Sequence, residues 1–349
     1  MQQSDLNTIK WNEAIKERLL GQGLDRLPHA ILLVGPAGVG KSAFSEQLAA
    51  LLLCESITPE LTACASCQAC LWLGAGNHPD FRRVAPDVDA DDGVAEKAGE
   101  KTKKRTSSII RIDQIRELES FVFVGSHRNG NRVVLITEAE AMNTAAANAL
   151  LKILEEPPSS VYFILVSSKS KTLLPTIRSR CRVIVFGPPD AAAGVAWLTS
   201  AGLEKQAGRY LNLAGGAPMR VAQWKDQGQL APIDALVDSL ISPQPDPIAL
   251  AARWDGLLKG DGSFRMENLV EGVQRWLFDL AQERMAGEIR YHGGWPRPKG
   301  VQSLNSSALM AAWREINQFR RSARHPLNQL LFLESLAAHF LRALRPVAS

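Results

Sequence analysis

A mostly parallel α/β sheet covered by helices, followed by an all-helical half, is the fold class this sequence predicts, and three observations predict it. Near the N-terminus an apolar run ends in a glycine-rich turn that opens a helix. Short β-branched runs then alternate with helical stretches up to residue 186. After Gly187-Pro188-Pro189 the β signal stops and only helical periodicity remains. Alternating strands and helices bury a parallel sheet on both faces, and the loss of that alternation marks a separate helical layer.

The elements follow in order. Leu27 to Val34 is the first strand and Lys41 to Leu53 the first clear helix, with further strands over 132–136, 161–166 and 182–186. The segment 87–108 has an acidic first half, a basic second half and almost no large apolar side chain, so it reads as a mobile loop that cannot offset its ordering entropy. Helices over 191–199, 204–214 and 219–224 form a small module, and a longer helical domain runs from 234 with a Gly- and Pro-rich loop at 287–300. The expected domains are therefore 1–186, 187–233 and 234–349. The last helix lines up Leu333, Leu336, Ala337, Phe340, Leu341 and Leu344 on one stripe.

Bulk properties narrow the class. No apolar run approaches the roughly 18 residues a membrane span requires, and the first 20 residues carry no leader-like apolar core. A cytoplasmic protein is expected, and its five cysteines are expected to be reduced thiols or metal ligands. The net charge of +4 permits a nucleic-acid partner without pointing to a dedicated DNA-binding protein.

Gly35-Pro36-Ala37-Gly38-Val39-Gly40-Lys41-Ser42 matches the phosphate-loop pattern G-x-x-x-x-G-K-[ST]. Glycines let backbone N–H groups converge on phosphate oxygens without a Cβ in the way. Lys41 would neutralise the outer phosphates of ATP or ADP, Ser42 would hold Mg²⁺, and the following helix offers its positive end. Hydrolysis needs more. A phosphate-loop ATPase holds its metal with an acid at the end of a neighbouring strand. In Val133-Val134-Leu135-Ile136-Thr137-Glu138-Ala139-Glu140 that position is Thr137, leaving Glu138 as a second acid without its partner. Binding with little intrinsic turnover is the expectation.

Cys54, Cys64, Cys67 and Cys70 fall in C-x9-C-x2-C-x2-C spacing, with only Cys181 elsewhere. Four thiolates so spaced can enclose one tetrahedral Zn²⁺, and an all-sulfur set leaves no open position for substrate, so the site is read as structural. Unliganded thiols and a redox pair are the alternatives.

The phosphate loop, the four-cysteine insert, Asn148-Ala149-Leu150-Leu151-Lys152-Ile153-Leu154-Glu155-Glu156-Pro157-Pro158 and Ser179-Arg180-Cys181 occur here in one order. That order resembles the bacterial DNA polymerase III clamp-loader subunits, a family of AAA+ proteins. Within it, Thr137 and the compact length resemble the delta-prime type more than the gamma/tau ATPases, which keep an Asp-Glu pair at that place. The resemblance implies an AAA+ domain, a helical lid and a helical collar. It implies assembly with gamma/tau and delta subunits in a pentameric ring that acts on a sliding clamp and primed DNA. The stripe on the last helix is expected to be buried in that ring. The resemblance also implies that Arg180 reaches a neighbouring subunit's ATP, and that Arg220, after Gly215-Gly216-Ala217-Pro218, touches nucleotide. Two other functions fit the residues: an active gamma/tau-type ATPase, or a zinc-dependent nucleic-acid-binding protein.

Overall fold

The structure is a computed structural model, and it describes residues 10–86, 109–123, 130–204, 206–260, 263–297, 300–323 and 328–345. The expected mobile loop at 87–108 lies outside the described residues. The chain divides into two compact units, Met1–Pro188 and Pro189–Ser349.

In the first unit the described elements are α1 (Glu13–Leu20), β1 (Ala30–Val34), α2 (Lys41–Leu53), α3 (Gln68–Gly74), β2 (Phe81–Val84), α4 (Ile112–Phe123), β3 (Arg132–Ile136), α5 (Thr144–Glu155), β4 (Val161–Ser167), α6 (Pro175–Arg180) and β5 (Arg182–Val185). The strands form one sheet in the order β2-β3-β4-β1-β5, parallel throughout, with Ala30 opposite Phe163 and Arg132 opposite Val161. β1 and β3 are buried at every position, as strands covered on both faces must be. On one face Leu32, Val34, Val134, Ile136, Phe163 and Leu165 pack against Ile115, Leu118 and Val122 of α4 and Ala146, Leu150 and Ile153 of α5. The helix α5 starts where the Asn143 side chain accepts a hydrogen bond from the Ala146 N–H, and it ends before Pro157, which disfavours the helical conformation in the residue preceding it.

Parallel strands all end on the same edge of a sheet. Here that edge carries Gly35, Thr137, Ser168 and Phe186, the residues just past β1, β3, β4 and β5. β1 lies between β4 and β5, so the chain leaving it crosses to the far edge before returning. Open α/β sheets bind ligands at such a switch point.

One charge is set deep in this unit. Arg132, the first residue of β3, is 3% exposed, and its Nε lies 3.3 Å from Oδ1 of Asp80, itself 2% exposed. Phe121 stacks under the same guanidinium at 4.8 Å. His78 turns the chain into β2 by accepting the Asp80 N–H at 3.1 Å.

The second unit is helical: α7 (Ala191–Ser200), α8 (Ala207–Leu213), α9 (Pro218–Asp226), α10 (Leu230–Ile241), α11 (Pro247–Leu258), α12 (Met266–Ala286), α13 (Ser306–Ser322) and α14 (Gln329–Ala343). The boundary expected between 233 and 234 falls inside α10, and side chains bridge it: Tyr210 Oη donates to Asp234 at 2.7 Å, and Arg275 donates to the Leu213 carbonyl at 2.5 Å. The 287–300 stretch holds no helix among its described residues. It is fastened by the buried Asp279 carboxylate, which accepts the backbone N–H groups of Arg290, Tyr291 and His292.

The last helix requires a correction. Leu333, Leu336, Ala337 and Phe340 are all fully buried within the chain itself, against α11, with the rings of Phe340 and Trp254 6.1 Å apart. Helical periodicity identifies a face that must be covered but not which partner covers it, and here α11 does. Those four residues are therefore covered within the chain and are not available to a neighbouring subunit, while Leu341 and Leu344 remain partly exposed.

Candidate nucleotide and metal sites

The phosphate loop follows from its glycines. Gly35 adopts φ +152°, and a Cβ there would stand 2.2 Å from the Phe186 carbonyl oxygen, so no side chain can replace its hydrogen. Gly38 and Gly40 have φ 82° and 103°, in the region glycine tolerates best. Gly40 caps α2, leaving the free N–H groups of the helix start facing the loop. From outside, the Trp11 indole N–H donates to the Val39 carbonyl at 3.0 Å and pins the turn between those two glycines.

Lys41 is 4% exposed. Its ammonium donates to the carbonyls of Gly35 at 2.7 Å and Pro36 at 2.6 Å, and to Ser168 Oγ at 3.2 Å. Burial brings its pKa from 10.5 down to about 8, with the negative charge of Glu140 acting in the opposite direction. Ser42, the next residue, is exposed at the first turn of α2. Gly35, Gly38, Gly40, Lys41 and Ser42 thus form one loop.

The acidic run past β3 divides differently than spacing alone suggests. Thr137 is turned toward β2, donating through both its N–H (2.9 Å) and its hydroxyl (3.3 Å) to the Val84 carbonyl. Glu138 is exposed and sits in the left-handed region at φ 51°, a conformation with a cost of about 1 kcal/mol for a residue with a Cβ. Glu140 is the acid drawn to the loop: its Oε1 accepts the Ser168 N–H at 3.0 Å, and its Oε2 is buried with no hydrogen-bond partner among the described residues. One faint signal of this is legible in the chain, an acid two residues beyond Glu138. Nothing local announces that Ser168, 28 positions later, meets it.

The four cysteines converge. The Sγ atoms of Cys54, Cys64, Cys67 and Cys70 all lie within 4.8 Å of one another, Cys64 and Cys70 at 4.0 Å. Four sulfurs about 2.3 Å from a tetrahedral ion lie about 3.8 Å apart, so this donor set fits one metal ion. Cys54 caps the C-terminus of α2, Cys67 the N-terminus of α3, and Cys70 lies one turn into α3. Ala65, at φ 58°, bends the chain between the paired cysteines. The backbone N–H of Ser66, its hydroxyl and the Cys67 N–H bring the Cys64 thiol down to about 6. Burial pushes Cys70 well above the ordinary thiol range. Cys181, outside the cluster, is buried and raised to about 11 by that burial.

Arg180 ends the six-residue helix α6. Its guanidinium donates to Glu155 Oε1 at 2.5 Å and to the Thr176 carbonyl at 3.2 Å, and the side chain remains 35% exposed. Arg178 and Arg182 beside it are exposed. Arg220 lies in the helical unit, paired with Glu271 at 2.5 Å and stacked over Trp224 at 5.1 Å. Burial opposes ionisation of Glu271, and Arg275 and Arg220 more than offset it, so that carboxyl is held below its ordinary range.

A parallel sheet with a phosphate loop at the C-terminal end of an inner strand, a four-sulfur insert after the loop helix and a helical second unit define a P-loop α/β protein of the AAA+ class. A family model described as DNA polymerase III, delta subunit, matches residues 13–190. The DNA polymerase III subunit delta' of Pseudomonas aeruginosa is 38% identical over 338 residues, covering 93% of this chain and 95% of that protein. The corresponding Escherichia coli subunit is 33% identical over 171 residues, 49% of this chain and 46% of its own length. A Thermotoga maritima gamma subunit-related structure aligns at 18% identity with a TM-score of 0.46, covering 96% of this chain and 100% of that one. The chain belongs to the delta-prime family of DNA polymerase III clamp-loader subunits.

Proposed function

We propose that this chain is the stator of a clamp loader: it binds nucleotide without useful turnover and lends Arg180 to the ATP held by a neighbouring subunit. The observation that carries the reading is the pairing of an intact phosphate loop with Thr137 at the metal-holding position, its hydroxyl and N–H both directed to Val84. Phosphoryl transfer depends almost entirely on positioned charge, so a site lacking one acid binds far better than it hydrolyses.

The relatives, delta' and gamma/tau subunits of DNA polymerase III, support partners drawn from the same complex. Gamma/tau and delta subunits would complete a pentameric ring in the cytoplasm, acting on a sliding clamp at primed DNA. In that ring the 189–349 unit would serve as lid and collar, and residues 54–70 would hold a structural Zn²⁺. Mg²⁺ with ATP or ADP would bind at Gly35, Gly38, Gly40, Lys41 and Ser42, with Glu138 as an outlying contact.

Arg180 suits delivery in trans on two grounds. A guanidinium is a permanently charged planar fork that stabilises spreading phosphoryl charge. Its present partner Glu155 is half exposed, and a surface ion pair of this kind contributes about 1 kcal/mol or less, so exchanging it for a phosphate is easy.

One preparation tests the assignment. The purified chain should co-elute with the other loader subunits, carry zinc in equimolar amount, and release phosphate from ATP at no more than background with Mg²⁺ and primed DNA. Brisk turnover by the chain alone would make it an ATPase instead.

A further inference from the structure

Three charged or polar groups meet beside the phosphate loop. Lys41 Nζ donates to Ser168 Oγ at 3.2 Å, and the Ser168 N–H donates to Glu140 Oε1 at 3.0 Å. One residue at the end of β4 therefore joins the loop's ammonium to a carboxylate. The second carboxylate oxygen, Oε2, is buried and has no hydrogen-bond partner among the described residues, so no donor there offsets its negative charge. The Coulombic pull of Glu140 on Lys41 agrees with that placement.

The phosphate-loop lysine is the group that reaches the outer phosphates of a bound nucleotide. An acid is coupled to that lysine through a single serine, Ser168, and so stands beside the group that meets the outer phosphates. A diphosphate brings its charge to the loop N–H groups and the start of α2. A triphosphate brings additional negative charge toward Glu140 and must compete with it for Lys41. We propose that Glu140 is a built-in anion at the outer end of the loop and makes this site select a nucleoside diphosphate over a triphosphate. The inference rests on the nucleotide-binding reading above and adds a specificity residue to it. It also gives the poor hydrolysis a second cause: the site disfavours the substrate as well as lacking the metal-holding acid.

The test is calorimetric titration of the full chain with ADP and with ATP, each with Mg²⁺, for the unaltered protein, Glu140→Gln and Glu140→Ala. Glutamine keeps an acceptor for the Ser168 N–H and removes only the charge, and a melting curve for each variant establishes that it is folded. Glu117→Gln, an exposed acid on α4, controls for net charge. The unaltered chain should prefer ADP, and Glu140→Gln should tighten ATP by about tenfold or more while changing ADP much less, the scale of one charge removed near a phosphate. Glu140→Ala should act in the same direction if Gln perturbs the loop. An ADP-to-ATP ratio unchanged by both variants would overturn the proposal. Weaker ATP binding in Glu140→Gln would also overturn it, by showing that the carboxylate holds the cation instead. If neither nucleotide binds any form, the nucleotide-binding reading itself fails.

Discussion

Lys41 shows how one residue links loop geometry to pH. Its folded pKa, about 8, is below its ordinary 10.5, so the folded state holds the proton less tightly than the unfolded chain does. The charged lysine thus opposes folding below pH 8, and that opposition is relieved as pH rises from 8 to 10.5. Phosphate binding has the opposite dependence, because it needs the ammonium. The affinity for ADP should fall as pH is raised through about 8, and titrations at pH 7 and pH 9 read this directly; a flat profile would remove Lys41 from the phosphate contact. At this scale the sequence was informative wherever chemistry depends on near neighbours. Gly35 to Ser42 and the four cysteines are set by local spacing, and both motifs converge in space as their spacing demands. Glu140 was not legible, because its meaning depends on Ser168 arriving from another strand.

Among the elements, β3 carries the sharpest consequence. Its buried Arg132 has Asp80 as its carboxylate partner, at 3.3 Å, while Phe121 packs on the guanidinium. Removing the acid alone leaves a charge buried in the core, so Asp80→Ala should destabilise the chain by about 3–5 kcal/mol in denaturant unfolding. A loss below about 1 kcal/mol would mean the pair is not desolvated as described. Strand positions were legible from β-branched runs, since 132–136 matches β3 and 182–186 nearly matches β5. The helical half was legible in part. The amphipathic stripe of α14 is real, yet Leu333, Leu336, Ala337 and Phe340 find their cover in α11 of the same chain. The division near 233 rests on where short helical stretches give way to longer ones, a pattern that cannot register that α10 continues through it or that Asp234 answers Tyr210 across it.

For the whole molecule, the proposed stator role places catalytic power in a neighbouring subunit and leaves this chain as its support. Three features support that proposal: Thr137 turned to the sheet, Lys41 linked through Ser168 to Glu140, and Arg180 35% exposed at the end of a short helix. The four-sulfur cluster sits at the far end of the loop helix, since Cys54 ends the helix that Lys41 begins. Single-turnover ATP hydrolysis by a reconstituted loader carrying Arg180→Ala in this subunit tests the central claim most directly. Turnover at the adjacent ATPase should slow by on the order of 10³-fold, with the variant subunit folded and assembled as before. Hydrolysis at the unaltered rate in a fully assembled complex would contradict the account.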